Sequence, residues 1–210
     1  MKEFLTHIGT DESGKGDFFG PLVIAGVLTD NKNAEYFLKL GIKDSKKLSD
    51  KKILTLAQKI KTSAPHSIIS ISNLRYNELY SDIKNLNKLL AWGHARAIEN
   101  ILEKHKCEYA LSDKFGDESL IKNALMQKGR GIKLEQTVRA ESDIAVAAAS
   151  VIARAVFVQN IEAMENTFKM KFPKGCAPIV KIAAAEFIKH YGKDRLREVC
   201  KMHFKTYKEV

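Results

Sequence analysis

The chain has 210 residues, 45% of them hydrophobic and 29% charged, and its 35 basic against 25 acidic side chains leave a formal charge of +10. That length and mixture exclude a disordered, fibrous or repeat-built protein and fit one domain over residues 1–210. The basic balance favours a polyanionic partner such as nucleic acid, and three widely spaced cysteines (Cys107, Cys176, Cys200) indicate neither a disulfide framework nor a CxxC metal site.

A reducing, cytoplasmic setting is the expectation, since the opening MKEFLTH lacks the apolar core of a signal peptide. The longest apolar run, Ile144 to Val158, is too short to span a membrane and contains Ser150 and Arg154, so it reads as a buried helix.

Taken in order, residues 3–9 and 21–28 read as two strands of a hairpin joined by an acidic, glycine-bearing turn that holds Asp11, Glu12, Gly14, Lys15 and Gly16. If both acids stay extended they point to opposite sides, so a shared task would require the chain to bend there. A short helix to Leu40 follows, then a helix capped by Ser49 that ends before Pro65. Residues 67–72 alternate as a strand. Leu86, Leu89, Leu90, Ala97, Ile98, Ile101 and Leu102 recur at helical spacing, and Trp92 among them reads as core. Residues 108–112 form a strand running into Asp113, followed by a helix near 118–128 and a strand over 132–138. Ser142 is the expected cap of the apolar helix, and the tail reads as two helices, about 179–190 and 193–203, with His203 a surface or packing residue. This order gives an α/β layered domain with a mixed sheet.

The acids Asp11, Glu12, Asp113 and Glu141 therefore stand at three strand ends and converge if those strands lie side by side. Carboxylates so gathered repel unless cations neutralise them, and oxygen donors suit Mg²⁺ or Mn²⁺. Two such ions would clamp a phosphodiester. Taken singly, Asp113 and Glu141 read equally well as turn or cap residues. Gly9 to Lys15 fits the first seven positions of a phosphate-cradling loop, GxxxxGK, but Gly16 stands where Ser or Thr should follow, and Pro21 with a strand replaces the helix. Gly14-Lys15-Gly16 reads either as a turn or as a loop approaching an RNA 2′-hydroxyl. Ser45, Lys46 and Lys47 read as a solvated loop or a phosphate contact.

At these residues the chain resembles the type 2 ribonuclease H family, which comprises ribonucleases HII and HIII. GTDESGKGDFFGPLV is similar to the family's first acidic motif, GIKDSKKLSD to its DSK motif, LSDKF to its third-acid motif and RAESDIAVAAASVIARAVF to its fourth-acid segment; PKG and the terminal KMHF resemble the HIII tail. The resemblance implies a ribonuclease H-like fold, a mixed central sheet flanked by helices with a helical C-terminal extension over about residues 170–210. It implies divalent-metal endonucleolytic cleavage of RNA in RNA/DNA hybrids, with Asp11, Glu12, Asp113 and Glu141 as the catalytic, metal-holding quartet for two ions. Gly14, Lys15 and Gly16 match the substrate-reading loop. GKGDFFGP, Glu141 in place of the more usual Asp, and the lack of a Gly-Tyr-Pro-Thr loop favour HIII. HIII proteins usually carry a substrate-binding domain before the first motif, and only ten residues precede Asp11 here. The grip is accordingly expected from Lys15, Lys46, Lys47, Arg154 and Lys174, with an RNA/DNA hybrid or chimeric duplex as partner and a monomeric enzyme. The alternatives are HII-type cleavage at single embedded ribonucleotides and a non-catalytic nucleic-acid-binding module.

Overall fold

The computed structural model describes residues 5–42 and 48–210. Its centre is β2 (Leu22–Thr29), an apolar strand buried along its whole length. β1 (His7–Ser13) and β3 (His66–Ile71) pair antiparallel on either side of β2. Beyond β1, β4 (Tyr109–Asp113) and β5 (Lys133–Thr137) run parallel to it, giving the mixed five-stranded order β3-β2-β1-β4-β5. A parallel neighbour requires a long return path over one face, and the helices between β3 and β4 supply it.

Both faces of β2 are spoken for, so its sequence is apolar without alternation. Val23, Ala25 and Val27 join one core with α1 (Asn31–Lys39), α2 (Asp50–Ser63), α6 (Ile144–Phe168) and α7 (Pro178–Tyr191). Leu22 and Ile24 face the other way, toward α3 (Asn73–Ile83) and α4 (Leu86–Leu102), while Ile8 and Ala110 pack with α4 and α5 (Glu118–Ala124). The tightest seam is between β1 and α6. A Cβ at Gly9 would lie 2.2 Å from the backbone of Ala145 and Val146, so only glycine admits the helix at this distance.

Several boundaries differ from the sequence reading. The N-cap of α6 is Asp143, not Ser142: its carboxylate accepts from the backbone N–H of Ala145 (2.9 Å) and Val146 (3.1 Å). α6 itself continues to Phe168, which makes it long and apolar enough to cross a membrane by composition, yet 72% of its most apolar stretch is buried inside the domain. α3 arises where the sequence shows little apolar periodicity. α5 stops at Ala124 because the buried Glu99 carboxylate takes over the next turn, accepting from Met126 N–H (2.6 Å), Gly129 N–H (2.7 Å) and Lys128 N–H (3.1 Å). Trp92 is on the outer side of α4 and 42% exposed, not core. In place of a helix over 193–203, the tail forms a 3₁₀ turn (Lys193–Glu198), a short bridge from Cys200 to Phe19, and a four-residue α8 (Lys205–Lys208). Ser49 does cap α2, accepting from Lys52 N–H.

Among the described residues Glu99 is the one side-chain partner of those three amides, and an unsatisfied buried donor costs about 1–3 kcal/mol. Glu99→Ala should therefore lower unfolding stability by about 3 kcal/mol in urea titrations, with Glu99→Gln losing less because its amide oxygen still accepts.

Candidate active site

β1 does not turn at its acids. Asp11 and Glu12 both belong to the strand, paired opposite Ala25 and Ile24, so the pleat sends them to opposite faces and the expected bend is absent. Asp11 lies on the α6 side, where its carboxylate accepts from the Ser150 hydroxyl and from Glu12 N–H (2.8 Å). The parallel register Thr10↔Ser112 places Asp113 beside it at the same end of the sheet. Asp113 in turn accepts from Ala140 N–H (3.0 Å), which ties β4 to the 3₁₀ turn Ala140–Ser142 that carries Glu141.

Glu12 faces α4. Its carboxylate meets His94 Nε2 at 3.2 Å and Lys15 Nζ at 3.4 Å. His94 is fully buried, with Nδ1 2.9 Å from Thr10 Oγ1 and its ring stacked on Phe115 at 4.8 Å. Lys15 lies over the outer side of the same Phe115 ring, at 5.7 Å. The sequence reading passed over His94 and took Phe115 only as part of LSDKF. The available signal for His94 was a histidine on the apolar stripe of α4, which must find polar partners when buried.

The electrostatics of the two acids diverge. Burial first, then the negative charge of Glu12 and, more weakly, of Asp113, pushes the Asp11 carboxyl up to about 7. Burial acts in the same sense on Glu12, but the bonds and charges of His94 and Lys15 outweigh it and hold that carboxyl below its ordinary value. Among the described residues, His, Cys, Asp and Glu side chains form no group of three or more drawn around a common point. The donors nonetheless suit a hard divalent cation: they are all carboxylate oxygens, and burial together with the negative charge of Glu12 makes ionisation of Asp11 costly, a cost that a cation would relieve.

The loop between β1 and β2 uses its glycines for two different purposes. Gly14 has φ +89° and a Cβ there would meet Pro21 O at 2.1 Å, so the fold itself demands glycine. Gly16 has no such conformation, is exposed, and a Cβ on it would meet nothing within 4 Å. The fold leaves that position free, and bare backbone there suits the close approach of something outside the chain. Beyond it, Asp17 Oδ1 accepts from Gly175 N–H (2.6 Å) and Gly175 O accepts from Phe18 N–H (2.9 Å), so the Phe172 to Gly175 loop is fastened to the glycine loop.

The predicted cations are placed unevenly. Arg154 and Lys174 line one cleft with Ser13, Asp17, Phe157 and Val158, beside the glycine loop. Both engage Asp50: Arg154 Nη2 donates to its Oδ1 (3.2 Å) and to Leu48 O (3.0 Å), and Lys174 Nζ to its Oδ2 (2.6 Å). The Lys174 ammonium, with Arg154 second, holds Asp50 below the usual carboxylate range. Ser45, Lys46 and Lys47 lie outside the described residues.

Asp143, two positions from Glu141, is spent on structure. Besides capping α6 it accepts from His7 Nε2 (2.9 Å), while His7 Nδ1 lies 2.7 Å from Leu5 O. Two acceptors on one ring favour the imidazolium, and although burial opposes the charge, Asp143 prevails and raises His7 above 6.5. Burial likewise opposes ionisation of Asp143, but His7 and the helix N–H groups draw it below 3.8. A raised histidine stabilises the fold below its unfolded value and loses that contribution as pH rises through its folded value. The stability that His7 contributes should therefore fade as pH rises above 6.5, and a pH series of melting curves should show the advantage of wild type over His7→Asn shrinking over that range.

Comparison with known proteins follows this geometry. The family model described as Ribonuclease HII matches residues 8–207. The ribonuclease HIII of Protochlamydia amoebophila is 46% identical over 200 residues, which cover 95% of this chain and 66% of that protein. The ribonuclease HIII of Chlamydia felis is 45% identical over 207 residues, 97% of this chain and 69% of that protein; the chain thus spans about two thirds of these relatives' length. Among solved structures, Bst-RNase HIII in complex with Mn²⁺ superposes with TM-score 0.90 at 33% identity, covering 98% of this chain and 68% of that one. The RNase HII of the Archaeoglobus fulgidus PCNA complex does so with TM-score 0.79 at 29% identity, covering 96% of each chain. The sheet order and flanking helices described above are accordingly the ribonuclease H-like fold, and the chain belongs to the ribonuclease HII family, on its ribonuclease HIII side.

Proposed function

We propose that the chain is a ribonuclease H that hydrolyses the RNA strand of RNA/DNA hybrids in the HIII manner, using two divalent cations, Mg²⁺ or Mn²⁺. The observation that carries it is the meeting of Asp11 and Asp113 at the adjacent ends of β1 and β4, with Glu12 held ionised on the other face of the same strand end, beside a loop whose exposed Gly16 is not required by the fold. A solved HIII relative binds Mn²⁺, and Asp11, Glu12, Asp113 and Glu141 would hold the ions here. When bound, such ions supply an activated water and stabilise the departing oxygen.

The chain's own residues do the rest. Ser150 and the Glu12 amide aim the Asp11 carboxylate, and His94 and Lys15 keep Glu12 ionised and hold its carboxylate on the α4 side. Bare backbone at Gly16 lets a ribose approach closely enough for its 2′-hydroxyl to be read, the group that separates RNA from DNA. Lys15, Arg154 and Lys174 attract backbone phosphates without sequence preference. Supporting the HIII assignment, Phe172 is 2% exposed and its ring packs on Phe19, Phe168 and Phe187, so the Phe172 to Gly175 loop presents no exposed aromatic ring beside the glycine loop.

Asp11→Asn should leave the melting temperature near wild type while cutting turnover of a labelled hybrid by roughly 100-fold or more; near-normal turnover in both metals would remove Asp11 from the site. Glu141→Gln should likewise cost turnover, whereas Asp143→Asn should cost melting temperature through the lost His7 pair and leave turnover largely intact. The opposite ranking would make Asp143 the ligand.

Substrate range provides a separate check. Duplexes with a run of consecutive ribonucleotides should be cleaved much faster than those with a single embedded one, in Mg²⁺ and in Mn²⁺. Equal or faster cleavage of the single-ribonucleotide duplex would establish HII-type recognition.

A further inference from the structure

Lys201 is fully buried, a costly place for an ammonium unless its protons are used. It comes from the tail, yet its Nζ donates to Gly20 O (2.6 Å) and Asp17 O (2.8 Å) in the glycine loop, with the Tyr76 ring 5.7 Å away. Burial draws the ammonium down to about 7, with Asp17 acting weakly to keep it charged.

The backbone around it is already secured without the side chain. Lys201 N–H donates to Phe18 O (2.9 Å), Gly20 N–H to Val199 O (3.0 Å), and Asn73 Nδ2 to Gly20 O (2.8 Å). Phe18 and Phe19 are fully buried and pack edge to face at 4.8 Å. An apolar residue of similar length would satisfy the packing. What lysine adds is a single point that gathers two carbonyls three residues apart, on either side of the buried phenylalanines, and so sets the orientation of the turn that begins at Gly16.

We propose that Lys201 is a positioning residue for substrate: from the buried side of the loop it fixes the path of Asp17 to Gly20, and thereby the height at which bare Gly16 meets the ribose. This rests on the reading of Gly14 to Gly16 as the substrate loop. A small displacement at such a contact misplaces the scissile phosphate and is paid in turnover more than in binding, which phosphate contacts elsewhere maintain.

The test measures Gly16→Ala, Lys201→Met and Lys201→Gln on a labelled RNA/DNA hybrid in Mg²⁺, with melting curves for each. Gly16→Ala should melt like wild type and lose activity. Lys201→Met should lower kcat roughly 10- to 100-fold at a temperature where it is folded, with KM within about threefold, and Lys201→Gln, which keeps a donor for one carbonyl, should fall between. If Gly16→Ala is impaired while Lys201→Met keeps its kcat, or raises only KM, the loop reading stands and the positioning role is overturned. If Gly16→Ala is silent, the loop reading fails and the role fails with it. If neither Lys201 variant folds, Lys201 belongs to the fold rather than to substrate placement, which also overturns the proposal.

Discussion

The pleat of one strand organises this molecule. Because β1 stays extended through Asp11 and Glu12, neighbouring carboxylates leave on opposite faces of the sheet, and each face must then contain a partner suited to it. α6 comes within contact of the β1 backbone at Gly9 and brings Ser150 to Asp11. α4 supplies His94 to Glu12, with Thr10 fixing the far side of the imidazole and Phe115 its plane. One acid is left proton-prone and the other firmly ionised, although they are adjacent in sequence.

The parallel pairing of β1 with β4 completes that arrangement. It sets Asp113 beside Asp11 by register rather than by any side-chain contact between them, and the bond from Ala140 N–H to Asp113 carries the constraint on to the turn holding Glu141. Sites built this way, on strand ends and backed by helices, inherit the rigidity of the sheet.

Much of this was legible in the sequence, and for local reasons. Apolar runs bounded by Gly, Pro and Asp marked the strands, helical spacing marked α4, and Ser49 and Pro65 bracketed α2. The acids stood out because they end strands. What stayed hidden depends on distant partners. Asp143 displaces Ser142 as the cap because His7, on another element, fixes its carboxylate. α5 is cut short by Glu99 of α4. α3 is folded around one buried Tyr76 while Leu74 remains exposed, too little for a periodic signal. Trp92 faces outward although its hydrophobicity argues for the core. Phe115 and Lys201 stand within the LSDKF and KMHF stretches and His94 in neither, but the roles of all three appear only when the elements they contact are in place.

The pairing of Arg154 and Lys174 with Asp50 bears on how the protein's charge would be measured in solution. These two cations have a tethered counterion of their own, so a phosphate arriving between them displaces a carboxylate of the protein instead of a dissolved ion. The dependence of log affinity on log salt concentration counts the cations that the nucleic acid sheds, so it would still register these contacts. The affinity gained per contact would nonetheless be smaller than two unpaired cations supply, because the Asp50 pairs must be broken as the phosphate arrives.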